Sequence, residues 1–190
     1  MELIRPVQAG DTAAIRHVHL TAFPTPAEAD VVERLRGNGK AVLELVALDG
    51  DSVVGHIVFS PIALEPLAGT VGLGLGPIAV MPDHKKHGVG RRLIQNGLAA
   101  CRQWGAGFVV VIGDPPYYTR FGFEPAAKHG LRSEYDARDA FMVFKLESGA
   151  LPPAGTLVKY STEFSALASR PAAAPAVSRK ARRPARPPRG

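Results

Sequence analysis

The sequence predicts a mixed α/β sheet domain, and three observations lead there. Apolar, β-rich runs alternate with helical patterns from residue 3 to about residue 146. Two of the β-rich runs meet at Asp49-Gly50-Asp51, a hairpin signal, because Asp-Gly readily takes the backbone of a tight turn. Residues 71–113 read strand, helix, strand, the unit that joins parallel neighbours by a right-handed crossover.

Each element has a local reason. MELIRPV reads as a first strand. DTAAIRHVHLTAF follows as a helix, with Asp11 or Thr12 as N-cap and Ile15, Val18 and Phe23 on or near one face. PAEADVVERLRG is a second helix, entered through Pro26 and stopped by Gly37. The hairpin AVLELVALDGDSVVGHIVFSPIAL comes next, then the strand TVGLGLGPIAVMP, whose glycines at 72–76 lead into Ile78–Val80 rather than a helix and so read as strand or bulge glycines. GVGRRLIQNGLAACRQWG is a helix, and the consecutive valines of GFVVVIGDPP fit an interior strand. YYTRFGFEPA is a short helical or turn segment running into a strand, and AFMVFKLE is a late strand.

At 190 residues the chain is one well-buried domain rather than two, and its 46% hydrophobic and 21% charged content is that of a soluble globular protein. The N-terminus carries acidic residues and no apolar core of a signal peptide, and every apolar stretch is too interrupted to span a bilayer. Cys101 is the only cysteine, which excludes an internal disulfide framework and fits a reducing cytoplasm. The net charge of +6 belongs to the end of the chain: seven of the 23 basic residues and no acidic one follow Ser165, leaving 16 basic against 17 acidic residues before it. Residues 1–164 are therefore read as the folded domain. Residues 165–190, rich in Ala, Pro and Arg, are expected to be a disordered basic tail. That tail is a solubilising appendage or an electrostatic tether for nucleic acid or another anionic partner; no aromatic residues interleave to stack on bases.

The chemistry concentrates in DHKKHGVGRRLI, residues 83–94. Glycines at a helix start let the backbone approach a ligand, and the first helical N–H groups lack internal partners and sit at the positive end of the dipole. Lys85, Lys86, Arg91 and Arg92 add full charges, and His87 adds another below neutral pH. The pattern points to a phosphate-bearing ligand, but it has neither Walker A spacing nor the three glycines of a dinucleotide fold. The histidines show no HExxH spacing and Cys101 has no cysteine partner, so no metal site is expected. Cys101 lies within a helix and reads as core, and His56, inside an apolar strand, as a hydrogen-bonded core residue.

GPIAVMPDHKKHGVGRRLIQNGL resembles the acetyl-CoA-binding core of the GNAT superfamily of acyl-CoA N-acyltransferases: an apolar strand, Val-x-Pro, then Gln/Arg-x-x-Gly-x-Gly/Ala opening a helix. PPYYTRFGFEP resembles the second half of that signature, a tyrosine three residues before Gly-Phe, and GDPPYYTRFGF is most similar to the YhbS-like branch. One position departs: Lys85 stands where Gln or Arg is usual, keeping the charge but not the planar geometry. The resemblance implies a mostly antiparallel twisted sheet with splayed middle strands, acetyl-CoA as cosubstrate and a primary amine as acceptor. It implies that main-chain N–H groups of Lys85, Lys86, His87, Gly88, Val89 and Gly90, with Arg91, hold the pyrophosphate. By the same resemblance Ile78, Ala79 and Val80 run along the pantetheine arm, and an N–H near Ala79 or Val80 meets the developing oxyanion.

Tyr118 matches the tyrosine that protonates the leaving thiolate, with Tyr117 as its packing neighbour and Phe121 and Phe123 as core. For the base, Glu28 at the start of the second helix is the substrate-side candidate, set against an ordinary first-turn carboxylate favoured by the helix dipole. Glu124 and Asp114 are weaker candidates. Acceptor specificity is expected in the loops around residues 24–40, 60–70 and 126–140, and pairing of late strands between subunits is common among similar proteins. A non-catalytic acyl-CoA-binding module is the alternative reading.

Overall fold

The computed structural model describes residues 3–146 and 151–168. The first expected strand is β1 (Leu3–Pro6), antiparallel to β2 (Leu43–Asp49), and β2 turns at Gly50 into β3 (Ser52–Pro61) as the Asp-Gly-Asp signal indicated. The remaining described strands are β4 (Ala63–Glu65), β5 (Gly72–Val80), β6 (Phe108–Ile112), β7 (Glu124–Pro125), β8 (Arg132–Ser133), β9 (Phe141–Lys145) and β10 (Leu157–Lys159). Seven of them form one sheet in the order β1-β2-β3-β5-β6-β9-β7, antiparallel throughout except for the parallel pair β5–β6. That parallel pair follows from the strand–helix–strand unit anticipated at 71–113.

Helices cover both faces. α1 (Thr12–Ala22) and α2 (Ala27–Gly37) lie on one face, and α3 (Val89–Trp104) on the other. The strands alternate accordingly. Leu45, Ala47, Ile57, Phe59, Val109 and Val111 join the cluster under α3. Their neighbours Val46, Val58, Phe108 and Val110 join the cluster with α1 and α2. α3 buries Val89, Leu93, Ile94, Gly97, Leu98 and Cys101, a stripe at helical spacing. A short helix, α4 (Pro115–Tyr118), leads through a 3-10 turn to β7, and Pro115 begins it where its missing N–H costs nothing.

Three features differ from the sequence reading. Asp11 does not cap α1 with its side chain; it accepts from Arg5 at 2.6 and 2.9 Å and from the Gln8 N–H at 2.7 Å, closing the turn before the helix. A second sheet, β4-β10-β8, was not anticipated, because strands of three, three and two residues are too short to show a period. The expected start of the tail at Ser165 is also early: Ser165–Ala168 form a helical turn, α5, against α2, with Leu167 half-buried against the core. The rest of the expected tail, residues 169–190, lies outside the described residues.

Candidate active site

β5 and β6 pair only through Gly72, Leu73 and Gly74, opposite Phe108, Val109 and Val110. Beyond that point the strands diverge, β5 to Val80 and β6 to Ile112. The divergence coincides with a bulge in β5, whose register against β3 slips between Leu75 and Ile78, around Gly76 (φ 133) and Pro77. Met81 N–H donates to the Val54 carbonyl at 2.9 Å. In an antiparallel ladder successive residues turn their main-chain groups to opposite sides. Ala79 therefore faces β3, while Ile78 and Val80 turn their N–H and C=O groups to the gap. This corrects the expectation for Ala79: its main-chain groups belong to the ladder and are not offered to a ligand.

The chain leaves β5 through a 3-10 turn, Pro82–His84, and the Lys85 N–H closes that turn on the Pro82 carbonyl at 3.1 Å. Lys85 was expected to give its N–H to a phosphate; that N–H is used within the loop, so only its half-buried side chain remains for such a contact. Lys86 (φ 70) and Gly88 (φ 82) are both left-handed, and Gly88 caps α3 in a backbone that other residues adopt only with strain. The first-turn N–H groups of Val89, Gly90 and Arg91 have no acceptor in the helix and point out of its positive end. The side chains of Lys86, His87 and Arg91 are exposed around them. His84 is drawn off to Asp49, its Nε2 3.2 Å from the carboxylate.

Two tyrosines come to the same place from α4. Tyr117 sends its hydroxyl to the head of α3: a Cβ added to Gly90 would lie 2.8 Å from it. The Arg120 guanidinium sits 4.7 Å above the Tyr117 ring, and burial raises the phenol against that charge. Tyr118 is only 6% exposed; its ring lies against Gly113 and meets Tyr117 and Phe123 edge-on at 5.1 and 5.5 Å. Burial raises its phenol, and Tyr117 and Asp114 add to that, so Tyr118 holds its proton at neutral pH. The carbonyl of Asp114 accepts the N–H groups of both tyrosines, at 3.0 and 3.1 Å, which fixes α4 at the end of β6.

The arrangement is a gap between diverging strands, a cationic helix start at one lip and a protonated phenol at the other. The acetyltransferase (GNAT) domain model matches this chain over residues 3–126. The chain belongs to the GNAT acetyltransferase family. It is 36% identical to the uncharacterized N-acetyltransferase YhbS of Escherichia coli K12 over 164 residues, 85% of this chain and 98% of that protein. YjhQ of the same strain, also an uncharacterized N-acetyltransferase, is 38% identical over 120 residues, 62% of this chain and 66% of its own length. The solved structure of E. coli YhbS in complex with CoA matches at a TM-score of 0.81 and 34% identity, covering 86% of this chain and 92% of that one. A GNAT family acetyltransferase from Brucella melitensis in complex with acetyl-CoA matches at 0.72 and 31%, covering 86% and 98%.

Within this GNAT domain the other candidates separate. Glu28 is 7% exposed in the first turn of α2, a buried carboxylate rather than a solvated one. His56 is fully buried and hydrogen-bonded, its Nε2 3.1 Å from Glu44 and its Nδ1 2.9 Å from His19. Cys101 is buried on the core face of α3 and its thiol is pushed up to about 12 by that burial. Glu124 pairs with His129 at 2.8 Å, away from the gap on β7. Phe123 is core, while Phe121 is half-buried against it. Among the described residues no three His, Cys, Asp or Glu side chains are grouped to hold a metal ion, and no helix is long and apolar enough to cross a membrane.

Sequence reading missed Tyr160. Its ring lies against Gly74, the last residue of β5 still paired with β6, and its buried hydroxyl has no partner. Burial raises its phenol strongly, and Tyr118, Tyr135 and Glu134 add to that. Tyr160 follows β10, in the small sheet that carried no periodic signal, so nothing local marked it.

Proposed function

We propose that the protein transfers an acetyl group from acetyl-CoA to a primary amine, the amine attacking the thioester directly. The observation that carries this is the divergence of β5 from β6 beside a glycine-capped, cationic helix start. In this reading the pyrophosphate lies on the N–H groups of Lys86 to Arg91, and the pantetheine arm runs along the free side of Ile78 and Val80. As the amine nitrogen bonds to the thioester carbon, charge grows on the carbonyl oxygen, and the Val80 N–H is the fixed donor best aimed to receive it. The C–S bond then breaks, and Tyr118 gives its proton to the leaving thiolate. Glu28, buried in the first turn of α2, is the acceptor-side carboxyl candidate in this reading.

Calorimetric titration of acetyl-CoA into the protein and a Gly88→Asp variant tests the reading. Micromolar binding in the wild type, lost in a variant that still folds, supports it; a folded wild type that binds no acetyl-CoA refutes it. For the tail we propose a solubilising role in a cytoplasmic enzyme. Salt-sensitive retention on immobilised RNA that disappears on truncation after Ala168 would show a tether instead.

A further inference from the structure

The acetyl-transfer reading leaves one proton without a destination, the one the amine must lose. A buried chain of side chains on the α1–α2 face of the sheet ends in an unfilled proton acceptor. Arg36, the penultimate residue of α2, donates from Nε to Glu44 of β2 at 2.8 and 3.1 Å. Glu44 Oε1 lies 3.1 Å from His56 Nε2, and His56 Nδ1 lies 2.9 Å from Nε2 of His19 on α1. Both imidazoles are 0% exposed. The last atom, His19 Nδ1, is buried with no hydrogen-bond partner.

The direction of every proton in this chain follows from its charged end. Paired with Arg36, Glu44 is a carboxylate and only accepts. The nitrogen facing it, His56 Nε2, must therefore carry the hydrogen. A neutral His56 then has a lone pair on Nδ1, which requires a hydrogen on His19 Nε2. A neutral His19 in turn has its lone pair on Nδ1. Both rings are neutral: burial lowers His19 to about 3, with His56 and Arg36 adding to that, and burial lowers His56 although Glu44 opposes it. The other charge acting on the chain is Asp11, which is bound by Arg5. A bare acceptor in the interior is uncommon, because buried polar atoms are nearly always satisfied.

The position of the chain links it to the reaction. α1 packs across β3 and β5. His56 is the register partner of Ala79, the residue between the two whose main-chain groups face the gap, so its imidazole rises beside the strand that would line the thioester. Phe23, the residue that ends α1, stacks over His19 with centroids 5.9 Å apart and planes 15° apart. It closes the chain from the α1–α2 connection, where Pro24, Thr25 and Pro26 are exposed.

We infer that His19 Nδ1 is the general base of the transfer, reached by the acceptor amine or one bridging water when Phe23 turns aside, with His56, Glu44 and Arg36 as positioning residues. As the amine nitrogen bonds to the thioester carbon, its proton passes to Nδ1. The Nε2 hydrogen is already directed at His56, so the positive charge is shared toward Glu44. The thiolate takes its proton from Tyr118, and solvent returns one proton from His19 to Tyr118, so that amine and acetyl-CoA yield amide and free CoA thiol. The nitrogen of the tetrahedral adduct is a far stronger acid than a free ammonium, so an imidazole of lowered basicity can take this proton.

The inference rests on the acetyl-transfer reading, and two measurements separate their failures. Nitrogen-15 spectra of the histidine rings in the full chain at pH 7 should show His19 and His56 both protonated at Nε2 and bare at Nδ1. A His19 that carries its hydrogen on Nδ1 overturns the inference, whether or not acetyl-CoA binds. A protein that binds no acetyl-CoA brings down the broader reading instead, and this one with it. In His19→Gln the side-chain amide keeps a donor for His56 but has no lone pair at the Nδ1 position. With acetyl-CoA and spermidine or hydroxylamine as acceptor probes, this variant should release CoA thiol about 10²- to 10⁴-fold more slowly at saturation. Its affinity for acetyl-CoA should be unchanged, and its thermal midpoint, though lowered by the loss of the stacked ring, should stay above the assay temperature. Its pH–rate profile should climb with hydroxide where the wild type levels off, a change that a structural role would not produce. Turnover within threefold of wild type would overturn the assignment.

Discussion

The close approach of Tyr117 to Gly90 makes a quantitative test of the proposed phosphate-binding loop. A Cβ at position 90 would lie 2.8 Å from the Tyr117 hydroxyl and 3.7 Å from Val80 Cγ2. Ordinary contact begins at 3.4 Å, so Gly90→Ala forces an overlap of about 0.6 Å at the hydroxyl alone. The tyrosine has little room to yield, because its ring meets Tyr118 at 5.1 Å and Phe121 at 5.3 Å and carries Arg120 on its face. Overpacking of this kind costs about 1–3 kcal/mol, while alanine returns up to about 1 kcal/mol of helix propensity. With the full propensity gain, global stability should therefore fall by about 0–2 kcal/mol, part of the strain appearing as a shift of the first turn of α3. With the pyrophosphate on the N–H groups of that turn, as proposed, acetyl-CoA affinity should fall about 5- to 30-fold, or about 1–2 kcal/mol. Calorimetry on Gly90→Ala, Tyr117→Phe and the double variant closes a cycle. In the Tyr117→Phe background the clash has no oxygen to meet, and Gly90→Ala should cost less than about twofold. An unchanged affinity in the single variant, or an undiminished penalty in the double one, would refute the reasoning.

Three further outcomes are expected. Tyr118→Phe should lower kcat about 10²- to 10⁴-fold while leaving acetyl-CoA affinity within threefold, since the ring keeps its contacts and only the proposed acid is lost; steady-state kinetics beside calorimetry checks this. Asp11 is held down to about 2, first by its hydrogen bond from Arg5 and then, against desolvation, by the Gln8 N–H. A folded-state value depressed from 3.8 gives stability present above pH 4 and lost as pH falls through 2; urea titrations should show wild type losing about 1 kcal/mol more than Asp11→Asn over that window, after solvent screening. Cys101 should resist maleimide in the native protein at pH 8 and react only on unfolding; labelling at the rate of a free thiol would contradict its burial.

What the sequence disclosed and what it withheld divide along one physical line. The hairpin at Asp49-Gly50-Asp51, the valine run of β6 and the apolar stripe of α3 are local patterns, each readable within one element. The glycine and lysine loop and the Tyr-x-x-x-Gly-Phe segment were legible for the same reason: each is a contiguous stretch whose spacing carries its chemistry. Ala79 and Lys85 were assigned one role too many because the direction of a main-chain group depends on register and on the 3-10 turn, which only the neighbouring strand and loop determine. His19 and His56 are 37 residues apart, and Tyr160 is 42 residues beyond Tyr118, so neither pair leaves a mark in the sequence. The strands of the second sheet are too short for a period to develop.

The site lies where the topology forces it. Among the seven strands of the main sheet, only β5 and β6 run parallel, and their pairing stops after three residues each. Ligands favour the carboxyl ends of parallel strands at such a switch, because the loops leave there and no neighbouring strand fills the crevice. Here the two loops carry complementary chemistry. Eight residues separate Val80 from the first residue of α3, so the positive helix end sits at the lip of β5. Two residues separate Ile112 from α4, so Tyr117 and Tyr118 sit at the lip of β6. The bulge at Gly76 and Pro77 then turns Ile78 and Val80 into the opening that the strand divergence creates. A strand that kept its register with both neighbours would have no free N–H to give a thioester. The irregular pairing of β5 is thus what would let its backbone take part in the proposed catalysis, and filling it should separate folding from activity.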